Sequence, residues 1–436
     1  MHKTEIHTLF MTEKEHIVII GGGFAGLNLL KKLNRDKYRI TIVDTNNYHS
    51  FPPLFYQIAS GGIEPSGISF PLRREVRRYI REDARFHMGK VEEINTIRKT
   101  VHTSLGETIH YDRLIIAAGT TNNFFNMPDL EKKVYTMKSV EQAIRCRNDI
   151  LQRLEEAVAT HDSAKRRRLL SFVVVGGGPT GVEVAGALGE MKRYTISREY
   201  PELNRDELKI TIVEGTDRLL QAMSEKSSVK AKKYREKLMV NTRLGVNMTA
   251  YDGETVTLSD GTQLPAGMLI WTAGVAAVPF TFTGATPHIG RGGRIEVDGF
   301  NRVKDMENIY AVGDISLMTA DEAYPHGHPQ LAQVAIQQAE TLAYNLNAGY
   351  GKRPFHYKDK GSMATVGRNR AVVDLPRLHF GGWPAWLVWM GIHLVSILGM
   401  RNKLTVLLSW TWSYFTYSQA LRLILRGARM PEKSRE

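Results

Sequence analysis

Hydrophobic and polar positions repeat one pattern twice along the chain: a β-branched apolar run, a glycine cluster, then apolar residues at helical spacing. In the first copy His16-Ile17-Val18-Ile19-Ile20 runs into Gly21-Gly22-Gly23-Phe24-Ala25-Gly26, and Leu27, Leu29, Leu30 and Leu33 follow on one helix face. In the second, Leu170-Ser171-Phe172-Val173-Val174-Val175 runs into Gly176-Gly177-Gly178-Pro179-Thr180-Gly181. A Gly-x-Gly-x-x-Gly run between strand and helix lets the backbone turn tightly and approach a pyrophosphate at the positive helix end. One such run is weak evidence. Two in this context predict two bound dinucleotides, a flavin and a nicotinamide.

The first unit continues with a strand over residues 38 to 43 that ends at Asp44. Asp44 lies near the ~20-residue spacing at which a carboxylate accepts hydrogen bonds from a ribose diol; a solvated strand-end carboxylate is the plain alternative. His49-Ser50-Phe51-Pro52-Pro53-Leu54-Phe55-Tyr56-Gln57-Ile58-Ala59 reads as a Pro-broken apolar loop. It either lines the ligand crevice beside an isoalloxazine or packs in the core. Arg73, Arg74, Arg77, Arg78, Arg81 and Arg85 suggest a solvated helix face, with one arginine available to a flavin phosphate. Tyr111-Asp112-Arg113-Leu114-Ile115-Ile116-Ala117-Ala118-Gly119 reads as a strand running into small residues that let the backbone pass close to a cofactor.

A helix is expected over 138 to 160, and Lys165-Arg166-Arg167-Arg168 is read as a solvated linker. The strand Lys209-Ile210-Thr211-Ile212-Val213 ends at Glu214, farther past its glycines than the usual ~20 residues. The polar segment 192 to 208 is expected to be an insertion in the crossover. Glu214 would accept from a 2′-hydroxyl and repel a 2′-phosphate, which favours NADH, although Arg218 stands nearby. Glu183 falls in the first helical turn, where it serves either helix-end electrostatics or a site near the nicotinamide and flavin. Residues 244 to 275 suggest a hairpin turning at Asp260-Gly261 and end in Trp271-Thr272-Ala273-Gly274. Tyr310-Ala311-Val312-Gly313-Asp314 reads as a strand end able to hold a ribityl chain or phosphate. The helix expected from Pro329 to Glu340 offers small residues and amides to a flat ring.

The C-terminal segment changes character. Five of the six tryptophans lie there: Trp383, Trp386, Trp389, Trp410 and Trp412. One apolar run covers 383 to 400, Arg401-Asn402-Lys403 interrupts, and a second covers 404 to 417. As a single helix of roughly 18 residues the first run would span about 27 Å, short of the ~30 Å hydrocarbon core. Helices lying in the interface fit better, with Arg422, Arg426, Arg429, Lys433 and Arg435 attracting anionic lipid. A dimer-interface helix pair is the alternative.

Length and charge narrow the class. A chain of 436 residues implies two or three domains. The formal charge of +13 suits nucleic acid or an anionic membrane, and the absence of helix-turn-helix, zinc or RNA-binding patterns favours the membrane. Cys146 is the only cysteine, so an intrachain disulfide and a redox-active cysteine pair are both excluded and a reducing compartment is expected. Residues 1 to 13 lack the apolar core of a signal peptide.

Taken in order, Gly-x-Gly-x-x-Gly, Tyr-Asp-x-Leu-Ile-x-Ala-x-Gly, the second Gly-x-Gly-x-x-Gly, Trp-Thr-Ala-Gly and Tyr-Ala-Val-Gly-Asp resemble the two-dinucleotide-binding flavoprotein superfamily. Within it, Ala332-Gln333, the loop at 53 to 59 and the C-terminal region resemble type II NADH dehydrogenases, the non-proton-pumping NADH:quinone oxidoreductases. The resemblance covers residues 16 to about 430.

It implies an α/β fold with two Rossmann-like, glutathione-reductase-like domains. The FAD domain would span 14–125 and 285–350, the inserted NADH domain 126–284, and a C-terminal amphipathic membrane-binding and dimerisation region 351–436. FAD, held non-covalently, would meet Gly21, Gly23, Phe24, Ala25, Gly26 and Asp44, with Ala118, Gly119, Gly313, Asp314, Ala332 and Gln333 nearer its ribityl chain and ring. NADH would meet Gly176, Gly178, Pro179, Thr180, Gly181, Glu183, Glu214, Ala273 and Gly274. A membrane quinone would meet Ala332, Gln333, Gln337, Lys360 and Met363. Glu183, Gln333 and Lys360 would serve catalysis, Lys360 matching a lysine proposed to supply protons or else being an exposed turn residue. The resemblance further implies a homodimer without metal or nucleic acid, peripheral on the cytoplasmic face of the inner membrane. Rival readings are a sulfide:quinone reductase, which needs catalytic cysteines, a reductase of a soluble acceptor, and an NADH-sensing flavoprotein.

Overall fold

The computed structural model describes residues 14–79, 83–416 and 421–424. The expectations for residues 1 to 13 and for Arg81, Tyr417, Arg426, Arg429, Lys433 and Arg435 lie outside the described residues. The chain divides into two compact units.

The first unit takes 1–49, 71–121 and 276–358. Its centre is a five-stranded sheet in the order Ile309–Ala311, Arg113–Ile116, Glu15–Ile20, Tyr38–Asp44, Ala84–Met88. All four pairings are parallel. Parallel strands covered on both faces need continuous apolar runs, and Ile17, Val18 and Ile19 are fully buried. The helices Phe24–Lys32 and Ala332–Ala348 pack together in this unit. The second of these begins at Ala332 rather than at Pro329, because Leu331 is still extended.

The second unit takes 50–70, 122–275 and 359–436. It carries a four-stranded parallel sheet, Asn241–Leu244, Lys209–Glu214, Ser171–Val175, Met268–Trp271. The hairpin expected at Asp260-Gly261 is there, with Gly261 at φ +82. It is extended to three strands by Met248–Tyr251, because Asp252-Gly253 supplies a second turn. A separate antiparallel sheet joins Ser362–Thr365, Ala371–Leu375 and Leu378–Gly382.

Three expectations are corrected here. The basic run at 165 to 168 is not a linker but part of the helix Ser163–Leu169, whose first N–H groups at Ala164 and Lys165 donate to Asp162 Oδ1. Lys and Arg are good helix formers and suit a helix C-terminus. The start of the 192 to 208 segment is no polar excursion. It continues the helix Pro179–Glu190 as a π-helical turn, Met191–Ile196, that buries Met191, Lys192, Thr195 and Ile196. Finally, the apolar run at 383 to 400 is not one helix. Trp383–Ser396 ends on an extended Ile397, Gly399 turns at φ +85, and Met400–Thr416 starts anew. Among the described residues no helix is long and apolar enough to cross a membrane. Cys146 lies fully buried in the helix Val140–Ala159, and burial pushes its thiol far above the ordinary range.

Candidate active site

The two fingerprints solve the same steric problem in the same way. Gly21 sits at φ +108 and Gly176 at φ +110. A Cβ on Gly26 would stand 1.9 Å from the Gly21 carbonyl oxygen, and one on Gly181 the same distance from that of Gly176. At the middle positions, Gly23 and Gly178, a Cβ would meet nothing within 4 Å. Each of these residues caps its helix without a side-chain hydrogen bond. Phe24, Ala25 and Gly26 in one unit, and Thr180 and Gly181 in the other, open a helix whose orphan N–H groups and dipole suit a pyrophosphate.

Each fingerprint is tied to the acid at the end of the next strand. Asp44 Oδ2 accepts from Gly22 N at 2.6 Å, and its Oδ1 accepts from Asn46 N at 2.7 Å. Burial raises the Asp44 pKa, and these two N–H donors pull it back. Glu214 Oε2 accepts from Gly177 N, while its Oε1 accepts from Thr216 N and Thr216 Oγ1. Each carboxylate is thus aimed at its glycine turn and keeps lone pairs for a ribose diol. The long gap before Glu214 leaves this clamp intact. Replacing Glu214 by Ser should raise kcat/KM for NADPH relative to NADH by about tenfold or more, since a charge facing a 2′-phosphate is removed. An unchanged ratio in steady-state assays would disprove this role.

Other residues of the first unit gather at the same strand ends. Burial holds the His49 pKa down at about 4, so its ring is neutral and donates from Nδ1 to the Gly22 carbonyl at 3.0 Å. Phe24 meets the His49 ring edge to face. Ala118 and Gly119 follow the strand Arg113–Ile116, with Gly119 at φ +69. Gly313 and Asp314 form a one-turn 3-10 helix after the strand Ile309–Ala311. Gly313 N donates to Gln338 Oε1 at 2.7 Å, and Gln330 Nε2 donates to the Asp314 carbonyl at 3.0 Å. Ala332 and Gln333 open the helix Ala332–Ala348, half-buried. Gln337 exchanges two hydrogen bonds with the backbone of Lys358. Gln338 falls among the amides that the sequence places along the helix from Pro329 to Glu340 facing a flat ring, and its bond to the Gly313 N–H appears only with the fold. Its Nε2 is buried without a partner.

In the second unit, Ala273 and Gly274 follow the strand Met268–Trp271, with Gly274 at φ +84. Thr272 Oγ1 donates to the Val175 carbonyl at 2.8 Å, fixing this strand end against the glycine turn. Glu183 is 7% exposed. Burial raises its pKa to about 8, against the Thr365 N–H at 3.3 Å and the Trp389 indole, which favour the carboxylate. Lys360 is exposed, and Met363 lies half-buried in the strand Ser362–Thr365.

A cavity of about 120 Å³ in this unit is lined by Tyr56, Gln57, Glu190, Thr365, Trp389 and Trp410, among others. The stretch expected as a loop at 49 to 59 instead forms a 3-10 turn, Pro52–Leu54, and a short helix, Phe55–Ala59. That helix delivers Tyr56 and Gln57 to the cavity. Gln57 Nε2 donates to Tyr56 Oη at 2.9 Å, and Trp410 Nε1 donates to Gln57 Oε1 at 2.7 Å. His393, held neutral by burial with a pKa of about 4, stacks on Trp389 at 4.0 Å.

Twin glycine–acid turns of this kind, in a chain with one sealed cysteine, suit a flavin- and nicotinamide-binding reductase without a disulfide centre. Residues 15–339 match the model of the pyridine nucleotide-disulphide oxidoreductase family, and 359–416 match that of the NDH2 C-terminal domain. The chain is 34% identical over 412 residues to the type II NADH:quinone oxidoreductase NdhA of Mycobacterium tuberculosis, covering 92% of this chain and 87% of that protein. It is 28% identical to an external NADH-ubiquinone oxidoreductase of Saccharomyces cerevisiae, covering 92% and 81%. The chain belongs to the type II NADH:quinone oxidoreductase family. In fold it is similar to the NDH2 structure from Plasmodium falciparum, with a TM-score of 0.86 at 22% identity over 95% of this chain and all of the other. A sulfide:quinone oxidoreductase from Aquifex aeolicus is more distant, with a TM-score of 0.68 at 18% identity over 93% of this chain and 96% of that one.

Proposed function

We infer that this protein oxidises NADH and passes the electrons through FAD to a quinone, without pumping protons. The observation that carries this reading is the pair of matched glycine–acid clamps, one in each unit, in a chain with a single, buried cysteine. The residues present fit both nucleotides: two uncapped helix N-termini, two open glycine positions and two carboxylates aimed at the turns. FAD, when bound, supplies the two-electron chemistry that links a hydride donor to a quinone. The protein holds the FAD pyrophosphate at the helix Phe24–Lys32 and its ribose at Asp44. Gly313 and Asp314, positioned by Gln338, serve the ribityl chain. Pro179, Thr180 and Gly181 open the NADH helix, and Glu214 takes the ribose diol. Ala332 and Gln333 face the quinone, with Gln337, Lys360 and Met363 in support, and Lys360 serves as a proton source. Residues 14–125 with 285–350 form the FAD domain, 126–284 the NADH domain, and 351–436 the membrane and dimer region.

The test is the flavin spectrum of the detergent-solubilised holoprotein. NADH should bleach the flavin band rapidly, and a short-chain quinone should restore it at the turnover rate. Bleaching that persists with quinone present would overturn the quinone reading in favour of a soluble acceptor or a sensor.

The helices Trp383–Ser396 and Met400–Thr416 carry the membrane part of the proposal. Val395, Leu408, Trp412 and Phe415 are each more than 60% exposed, an apolar surface that water tolerates poorly. Laid flat on an anionic bilayer they bury this surface. The protein works there as a peripheral homodimer on the cytoplasmic face. Replacing Leu408, Trp412 and Phe415 together by Ser should release the protein from anionic vesicles in flotation assays, while NADH still bleaches the flavin. Undiminished flotation would place the membrane contact elsewhere.

A further inference from the structure

Phe124 and Phe125 stand side by side in the second unit and meet different surroundings. Phe124 packs with Met127 against the buried cluster that holds Val173, Val175, Leu269 and Trp271. Phe125 stays 55% exposed, in a backbone region that L residues avoid: φ is +46 there and +67 at Asn126. Asparagine tolerates that region and phenylalanine does not. The protein nevertheless fastens it there. Phe125 N donates to Asn123 Oδ1 at 2.9 Å, and the Trp271 indole N–H donates to the Asn123 carbonyl at 3.0 Å. Asn123 N in turn donates to the Gly274 carbonyl at 3.3 Å. The ring rests on Gly274, where a Cβ would stand 2.4 Å from Phe125 Cζ. An exposed aromatic held in strain contributes little to a core, and strain of this kind collects at ligand sites.

The sheet order says which part of a ligand comes near it. Ser171–Val175, which runs into the glycine turn, is flanked by Lys209–Glu214 on one side and Met268–Trp271 on the other. A dinucleotide lies across the carboxyl ends of such strands, at the point where their order reverses. The adenosine ribose at Glu214 and the pyrophosphate at Pro179, Thr180 and Gly181 account for two parts of it. The remaining part, the nicotinamide riboside, falls over the end of Met268–Trp271. Thr272 Oγ1, shared between the Val175 carbonyl at 2.8 Å and the Gly176 carbonyl at 3.2 Å, keeps that end beside the turn. Gly274 and the ring of Phe125 come next.

We propose that Phe125 is the aromatic wall against which the nicotinamide riboside of NADH packs, so that it sets affinity for that half of the nucleotide alone. The proposal rests on the reading of the second unit as the NADH site. Gly274, without a side chain, leaves the ring room to reach the strand end. The ring offers the flat pyridine an apolar, aromatic surface of the kind that lines ligand sites.

Anaerobic stopped flow on the FAD-loaded enzyme gives the apparent Kd for NADH from the concentration dependence of flavin bleaching. F125A should raise it roughly tenfold, and F125Y, which keeps the ring, should stay near the wild type. Two fragments divide the nucleotide. Reduced nicotinamide mononucleotide, the nicotinamide half alone, should bleach the flavin of F125A roughly tenfold less efficiently than that of the wild type. ADP, the adenosine half, should compete with NADH equally well in both proteins. A disturbed fold would weaken both halves, so a matching loss of ADP binding in F125A would overturn the proposal. An unchanged NADH Kd in F125A would overturn it too. ADP that fails to compete with NADH in the wild type would instead overturn the placement of NADH on which the proposal rests.

Discussion

Gly181→Ala should yield a protein that keeps its flavin but is reduced by NADH roughly 100-fold more slowly, or worse. The added Cβ would stand 1.9 Å from the Gly176 carbonyl oxygen and 2.7 Å from Thr272 Oγ1. A carbonyl in a glycine turn is not the free end of a flexible side chain, so the helix Pro179–Glu190 must back away from the strand end. Its N-terminus is what holds the NADH pyrophosphate in our reading. Misplacing a bound reactant by about 1 Å costs on the order of 10²-fold. The hydrogen bond between Gly22 and Asp44, which holds the flavin ribose side in the same reading, belongs to the other unit and should be untouched. Stopped-flow bleaching gives the rate, and the ratio of flavin to protein absorbance gives the occupancy. Reduction at the wild-type rate would mean that the pyrophosphate binds elsewhere.

The second large effect concerns pH. The Glu183 carboxyl has an ordinary pKa of 4.5 and about 8 in the folded protein, because burial penalises its charge. Between those values the unfolded chain has already released a proton that the folded chain retains. Stability from this group is therefore complete below about pH 4.5 and is lost as pH rises toward 8. The loss at pH 8 is on the order of 4 kcal/mol. Glu183→Gln cannot ionise, so it should be more stable than wild type, by a margin that grows from pH 5 to 8. Thermal unfolding of both holoproteins across that range measures the margin. A constant difference would show that Glu183 ionises in the folded state as easily as in the unfolded one.

How much of this was written legibly in the sequence depends on distance along the chain. The glycine clamps were readable because their steric rule is local: a strand, a tight turn and a helix within a few residues, then an acid at the next strand end. Even so, the partner of each acid, the middle N–H of the glycine run, appeared only with the fold. The C-terminal apolar runs were legible as helices, but the break at Ile397 and Gly399 was hidden by their uniform hydrophobicity. The cavity was not legible at all. Tyr56, Glu190, Thr365, Trp389 and Trp410 come from separate elements and share no period or motif. Only packing within the second unit puts them around one space. Tyr56 was read within a Pro-broken apolar loop, either lining the ligand crevice or packing in the core, whereas a short helix turns it into the cavity.

The lone thiol gives the molecule a further property. Cys146 is fully buried in the helix Val140–Ala159, with its ionisation strongly suppressed. Thiol-directed reagents react with exposed thiolates, so the folded protein offers them no thiol handle, and inhibitors with cysteine-seeking warheads have nothing to capture. The same seclusion makes Cys146 a built-in tell-tale. A label on it marks molecules in which this helix has come away from its packing, and the labelling rate reads out that opening without any engineered probe.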